Sequence, residues 1–113
     1  MTLAREVVAE MVPSIKKRVN LEAIVHAVAN HFSVDEEKIL EEGRGTKEVA
    51  QARQVAMYLM KQLTHLSLKS VGIRFGNRDH STVVHAIKTV EKSMQDDPSF
   101  KRAVENLLGS IHD

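Results

Sequence analysis

The sequence predicts an all-α fold: a compact multi-helix domain preceded by a connector helix. Three observations lead there. Apolar residues recur at three- and four-residue spacing along the whole chain, and no alternating run suggests a strand. With two prolines and five glycines in 113 residues, there is room for long helices. Residues 67–92, SLKSVGIRFGNRDHSTVVHAIKTVEK, run as a short helix, a Gly-containing turn and a longer helix, which is the layout of a helix-turn-helix.

The elements follow in order. Residues 3–12 place Leu3, Val7, Val8 and Met11 on one helical stripe, and Pro13 with the basic run Lys16, Lys17, Arg18 interrupts it. Residues 1–18 therefore read as a connector helix and hinge, and 19–113 as the domain. Asn20 is a suitable N-cap for a helix over 21–32, whose buried face is Leu21, Ile24, Val25, Val28 and Phe32. Ser33 or Asp35 caps a short helix with Ile39 and Leu40 on its apolar side. Gly43 to Lys47 forms a basic loop. A long helix over 47–65 carries a stripe of Val49, Ala52, Ala56, Leu59, Met60 and Leu63, with Arg53, Gln54, Lys61 and Gln62 off it. Ser67 opens the next short helix, and Gly76-Asn77 ends it as a left-handed turn. A helix over 80–95 stops at Asp97-Pro98, and an amphipathic helix over 99–111 closes the chain.

Composition narrows the chemistry. With no cysteine, disulfides and thiolate metal sites are excluded, and a reducing cytoplasm is compatible. No apolar run approaches the roughly 20 residues that would span a bilayer. The net charge of +1 is uninformative, but its distribution is not. Residues 1–43 hold five Lys or Arg against eight Asp or Glu, residues 44–92 nine against three, and residues 93–113 two against four. A basic centre between acidic flanks is the footprint of a phosphate-binding face, although charge also fluctuates along chains that bind nothing.

The helix-turn-helix carries the functional signal. Val83, Ile87, Val90 and Met94 step by four, three and four, so they share the face that packs on the body of the domain. Ser81, His85, Lys88 and Lys92 take the same steps on the opposite face, with Thr82 and Thr89 nearby. Base edges are read by compact donors, acceptors and methyls, and phosphates are held by cations. The polar face has that division, with the small groups first. Asp79 reads as an N-cap, or as an acceptor for a cytosine amino group. His80 and His85 read as ordinary surface histidines, or as base contacts on the groove side. Their spacing of five, with no third ligand and no HExxH pattern, argues against a metal. No nucleophile–base pair and no GK[ST] phosphate loop supports an enzyme.

Two ordered blocks then carry a resemblance. GNRDHSTVVHA resembles the GGRDHTTVLHA signature of the C-terminal DNA-binding domain of DnaA, the bacterial chromosomal replication initiator family. Upstream, ARQVAMYLMKQLTHLSL resembles the family's PRQIAMYLxRELTxxSL, and the similarity extends over about residues 19–95. It implies a Trp-repressor-like helix-turn-helix in the major groove of a nine-base-pair DnaA box of the TTATCCACA type, with a preceding basic loop in the adjacent minor groove. By matching position, Asp79, His80, Ser81, Thr82 and His85 correspond to base-reading residues, with Leu68 near the groove. Arg53, Lys61, Thr64 and Ser67 fall where the family touches phosphates, Lys88 and Lys69 add cations, and Arg44 and Lys47 stand for the minor-groove loop.

Four departures from the pattern bear on DNA contact. Ala52 and Lys69 replace prolines, Ser81 replaces a Thr, and Gly45 stands where a minor-groove Arg is expected. The resemblance implies no cofactor in this chain, since ATP and Mg²⁺ belong to the family's ATPase module. That module is absent here, and the lead-in helix favours a fragment over a short natural relative. The expected partner is duplex DNA, bound by a monomer at the bacterial nucleoid, with replication regulatory proteins as further partners. The rival reading is a protein-interaction module docking through Phe100, Val104, Leu107 and Leu108, which otherwise close the core.

Overall fold

The computed structural model describes residues 20–111, which form six helices and, among the described residues, no strand. The connector helix expected over 3–12, its hinge and the boundary near residue 18 lie outside the described residues. In chain order the helices are α1 (Leu21–Phe32), α2 (Glu36–Leu40), α3 (Lys47–Leu63), α4 (Leu68–Arg74), α5 (His80–Asp96) and α6 (Pro98–Ile111).

Their starts are fixed by side-chain caps. Asn20, Thr46, Ser67 and Asp79 each accept a hydrogen bond from a backbone N–H of the first turn. Asp97 closes α5 and also accepts from the N–H groups of Ser99 and Phe100, so one carboxylate serves both sides of the Asp97-Pro98 junction. Asp35 stands at the N-cap of α2 without a side-chain bond, whereas Ser33 ends α1 in the left-handed conformation (φ 57°).

The long helix α3 packs against all five others and is the axis of the domain. This explains a departure from the expected single stripe. Val55, Met57 and Tyr58 are buried along with Val49, Ala52, Ala56, Leu59, Met60 and Leu63, because neighbours lie on several sides of α3. Phe75, Val71 and Val83 join the same core and bring the helix-turn-helix onto it. On α5, Val83, Ala86 and Val90 are buried, with Ile87 and Met94 packed at the margin. On α6, Val104 and Leu107 are buried and Phe100 and Leu108 rest against the core, so the apolar face of this helix closes the domain.

Close approach sets the bend of the helix-turn-helix. The Gly72 carbonyl accepts from the N–H groups of both Phe75 and Arg78, at 3.2 and 2.8 Å. A Cβ on Gly72 would stand 2.1 Å from the carbonyl oxygen of Arg78, so only glycine lets the turn fold back this far. Gly76 and Asn77 both have positive φ, as their sequence suggested. Two glycine substitutions should therefore move stability in opposite directions. Gly72→Ala must shift backbone and should cost about 1–3 kcal/mol in a urea titration. Gly109→Ala lies inside α6 with nothing within 4 Å of the new Cβ and should stabilise, by up to about 1 kcal/mol.

Candidate nucleic-acid interface

The residues expected to contact bases are assembled by the start of α5. The Asp79 carboxylate caps this helix, its Oδ1 accepting from the Ser81 amide at 2.8 Å and from the Ser81 hydroxyl at 2.7 Å. Those two bonds, the hydroxyl first, hold the Asp79 carboxyl below the ordinary carboxylate range. Asp79, His80, Ser81, Thr82 and His85 are all exposed, and none contributes to the core. Lys88 continues this face two turns after Ser81. Among the described residues Lys88 makes no ion pair, whereas Lys92, further along, pairs with Asp96 at 3.3 Å.

The flanking predicted residues fall into two neighbourhoods. Lys69, Ile73, Asn77, Asp79 and His80 border a shallow groove between α4 and the start of α5. Arg44, Thr82 and His85 line a separate cleft of about 240 Å³ between the loop before α3 and α5. Lys47 is exposed at the first position of α3. At the other end of α3, the Lys61 ammonium donates to the Leu66 carbonyl at 3.0 Å, and the Thr64 hydroxyl donates to the Met60 carbonyl at 2.6 Å. Ser67 caps α4, and Leu68 is half-buried against the core. These last four residues thus have structural work in shaping the α3–α4 corner.

Arg53 requires correction. Expected at a phosphate, it is instead 4% exposed, and its guanidinium is directed inward. Nε donates to the Ile39 carbonyl at 2.8 Å, Nη2 to Lys38 at 2.9 Å and Nη1 to Arg44 at 3.0 Å. Burial, and secondarily the neighbouring Arg78 cation, lower its pKa, against an opposing pull from Glu41. A guanidinium nevertheless stays protonated in a folded protein. The signal was in the spacing: Arg53 lies four residues after Val49 and three before Ala56, on the stripe rather than off it. Arg78, which the sequence reading passed over, is the second unexpected contributor. It donates to the carbonyls of Phe75, Glu41 and Gly43, each at 2.8 Å. Nothing local betrays that role, because two of its partners lie more than thirty residues upstream.

A short bracing helix, a glycine-dependent turn and a capped second helix with an exposed polar face define a helix-turn-helix domain. The family model described as the bacterial dnaA protein helix-turn-helix matches residues 21–90, and the chain belongs to this family. Relatives called chromosomal replication initiator protein DnaA include that of Lachnoclostridium phytofermentans, 40% identical over 97% of this chain and 24% of the relative. That of Bartonella quintana is 45% identical over 80% of this chain and 18% of the relative. A crystal structure of a DNA replication initiation factor superposes with a TM-score of 0.73 at 34% identity, covering 93% of this chain and 32% of that one. The chain thus spans about a quarter or less of the length of these two relatives.

Two predictions follow from the geometry. Arg53→Lys should cost about 1–3 kcal/mol in a urea titration, because a single ammonium cannot satisfy three carbonyls held for a planar fork. For Asp79 the lowered pKa means that its stabilisation is present above the ordinary carboxylate pKa and is lost as pH falls through the lowered value. Asp79→Asn keeps a capping oxygen but does not titrate. Its thermal midpoint should therefore fall less than the wild-type midpoint between about pH 5 and pH 2.

Proposed function

We propose that this chain is a sequence-specific duplex-DNA-binding domain that recognises DnaA-box-type sites at a replication origin. The observation that carries the reading is the start of α5, where five exposed polar residues, Asp79 to Thr82 and His85, are presented by a helix braced through Gly72. In this reading those five side chains contact base edges in the major groove. Lys88 and Lys69, with Lys61, Thr64 and Ser67 at the α3–α4 corner, contact the phosphates. Arg44 and Lys47 approach the adjacent minor groove.

The domain acts as a monomer without cofactor or catalysis, at the nucleoid. Its family match covers residues 21–90, the helix-turn-helix, and in this reading the domain needs neither ATP nor Mg²⁺. No described helix is long and apolar enough to cross a membrane. The competing interaction-module reading relied on an open apolar face of α6, and that face is committed to the core.

Fluorescence anisotropy tests the proposal directly. The chain should bind a labelled duplex carrying the nine-base-pair box more tightly than a scrambled one, with affinity falling as salt rises. Equal affinity for both at every salt concentration would refute sequence-specific reading. Lys88→Ala should weaken both duplexes alike and reduce the salt slope by about one unit. His80→Ala should cost about 1–3 kcal/mol on the box alone; an equal loss on scrambled DNA would remove His80 from the base-reading set.

A further inference from the structure

Arg78 sits between the two elements that the proposed function sends into different grooves. Its main chain belongs to the helix-turn-helix: its N–H donates to Gly72, and the capping residue Asp79 follows it directly. Its side chain reaches both ways. Nε holds the Phe75 carbonyl at the end of α4, while Nη2 holds the carbonyls of Glu41 and Gly43 in the loop before α3. Gly76 closes the same junction, since at φ 84° its missing Cβ would stand 2.6 Å from the Glu41 carbonyl oxygen. The next loop residue is Arg44, whose carbonyl is held by Arg53. Between them the two guanidiniums bond five carbonyls of the segment 38–44, at Lys38, Ile39, Glu41, Gly43 and Arg44.

The arrangement has a mechanical meaning. After α2 ends, the loop has no regular structure of its own, so its course is set by these bonds. Arg44 faces the same cleft as Thr82 and His85. A loop already fixed relative to the reading helix does not have to be ordered when DNA arrives. A planar fork bonding on two sides transmits a fixed geometry, which a flexible lysine cannot.

We infer that Arg78 is a positioning residue for specificity: it sets the placement of Arg44 relative to residues 79–85, so that the minor-groove and major-groove contacts are made together. This rests on the interface reading above. Arg78 itself needs no contact with DNA.

The test is a double-mutant cycle on the full chain with Arg78→Lys, which keeps the charge, and Arg44→Ala, read as the ratio of box to scrambled affinity. Arg78→Lys should lower that ratio about tenfold, the scale of coupling within one hydrogen-bond network, with an unchanged salt slope on scrambled DNA. In the Arg78→Lys background, Arg44→Ala should cause little further loss. A wild-type ratio in Arg78→Lys, or losses that multiply independently, would overturn the inference. A second readout needs no DNA: in the free protein, Arg78→Lys should speed amide exchange across residues 41–45 severalfold and leave the middle of α3 and α5 protected. Unchanged loop exchange would also overturn the inference, whereas a wild-type chain indifferent to the box refutes the proposed function and leaves this readout standing. Should the lysine variant lack helical circular dichroism, Gly76→Ala replaces it. The added methyl pushes on Glu41 without removing a cation, and the same coupled loss is expected.

Discussion

The guanidinium of Arg53 carries a full charge into the interior, and the loop, α2 and the cleft beside α5 all depend on how that charge is satisfied. Burying a cation is costly unless every donor finds a partner. Here the partners are carbonyl dipoles rather than a buried carboxylate. Two of them, at Lys38 and Ile39, lie in the last turn of α2, where helix geometry leaves carbonyl oxygens short of donors; Lys38 also accepts a long bond, 3.4 Å, from the Glu41 N–H. One side chain thereby satisfies both the end of a five-residue helix and the entry to α3. A short helix at the surface gains a rigid attachment to α3, the central helix of the core.

From α3 outward, packing and chemistry are separated by helical phase. The inner residues of α5, Val83, Ala86 and Val90, are committed to the core, and the outer ones make no contribution to it. Beyond the capping residue Asp79, polar residues at the start of α5 are consequently free to differ without disturbing the core. The same separation is absent on α3, where Tyr58 and Arg53 bring polar groups into a mainly apolar environment. Burial, aided by Glu91 and Glu105, raises the Tyr58 pKa and keeps its phenol neutral.

Much of this was legible in the sequence for local reasons. Asn20, Ser67 and Asp79 cap helices within three residues of themselves, and Gly76-Asn77 takes the positive φ that such a pair favours, so each boundary could be read from its own neighbourhood. The core of α5 follows from a simple period. The misplacement of Arg53 came from treating residue type as stronger than phase: charge suggested the surface while its register with Val49 and Ala56 put it inside. Arg78 illustrates a different limit. Its partners Glu41 and Gly43 are close only after α3 and α4 have packed, and no local pattern encodes that meeting.

The cap at the head of α5 also restricts what its serine can say to a ligand. A hydroxyl has a single proton, and that of Ser81 is directed at the Asp79 carboxylate. Toward anything outside the protein, Ser81 therefore offers lone pairs only, as does Asp79 itself. Two adjacent side chains with unlike chemistry become one acceptor surface, and their nearest complement is an amino group, while a bare carbonyl oxygen presented at the same point finds no donor from either.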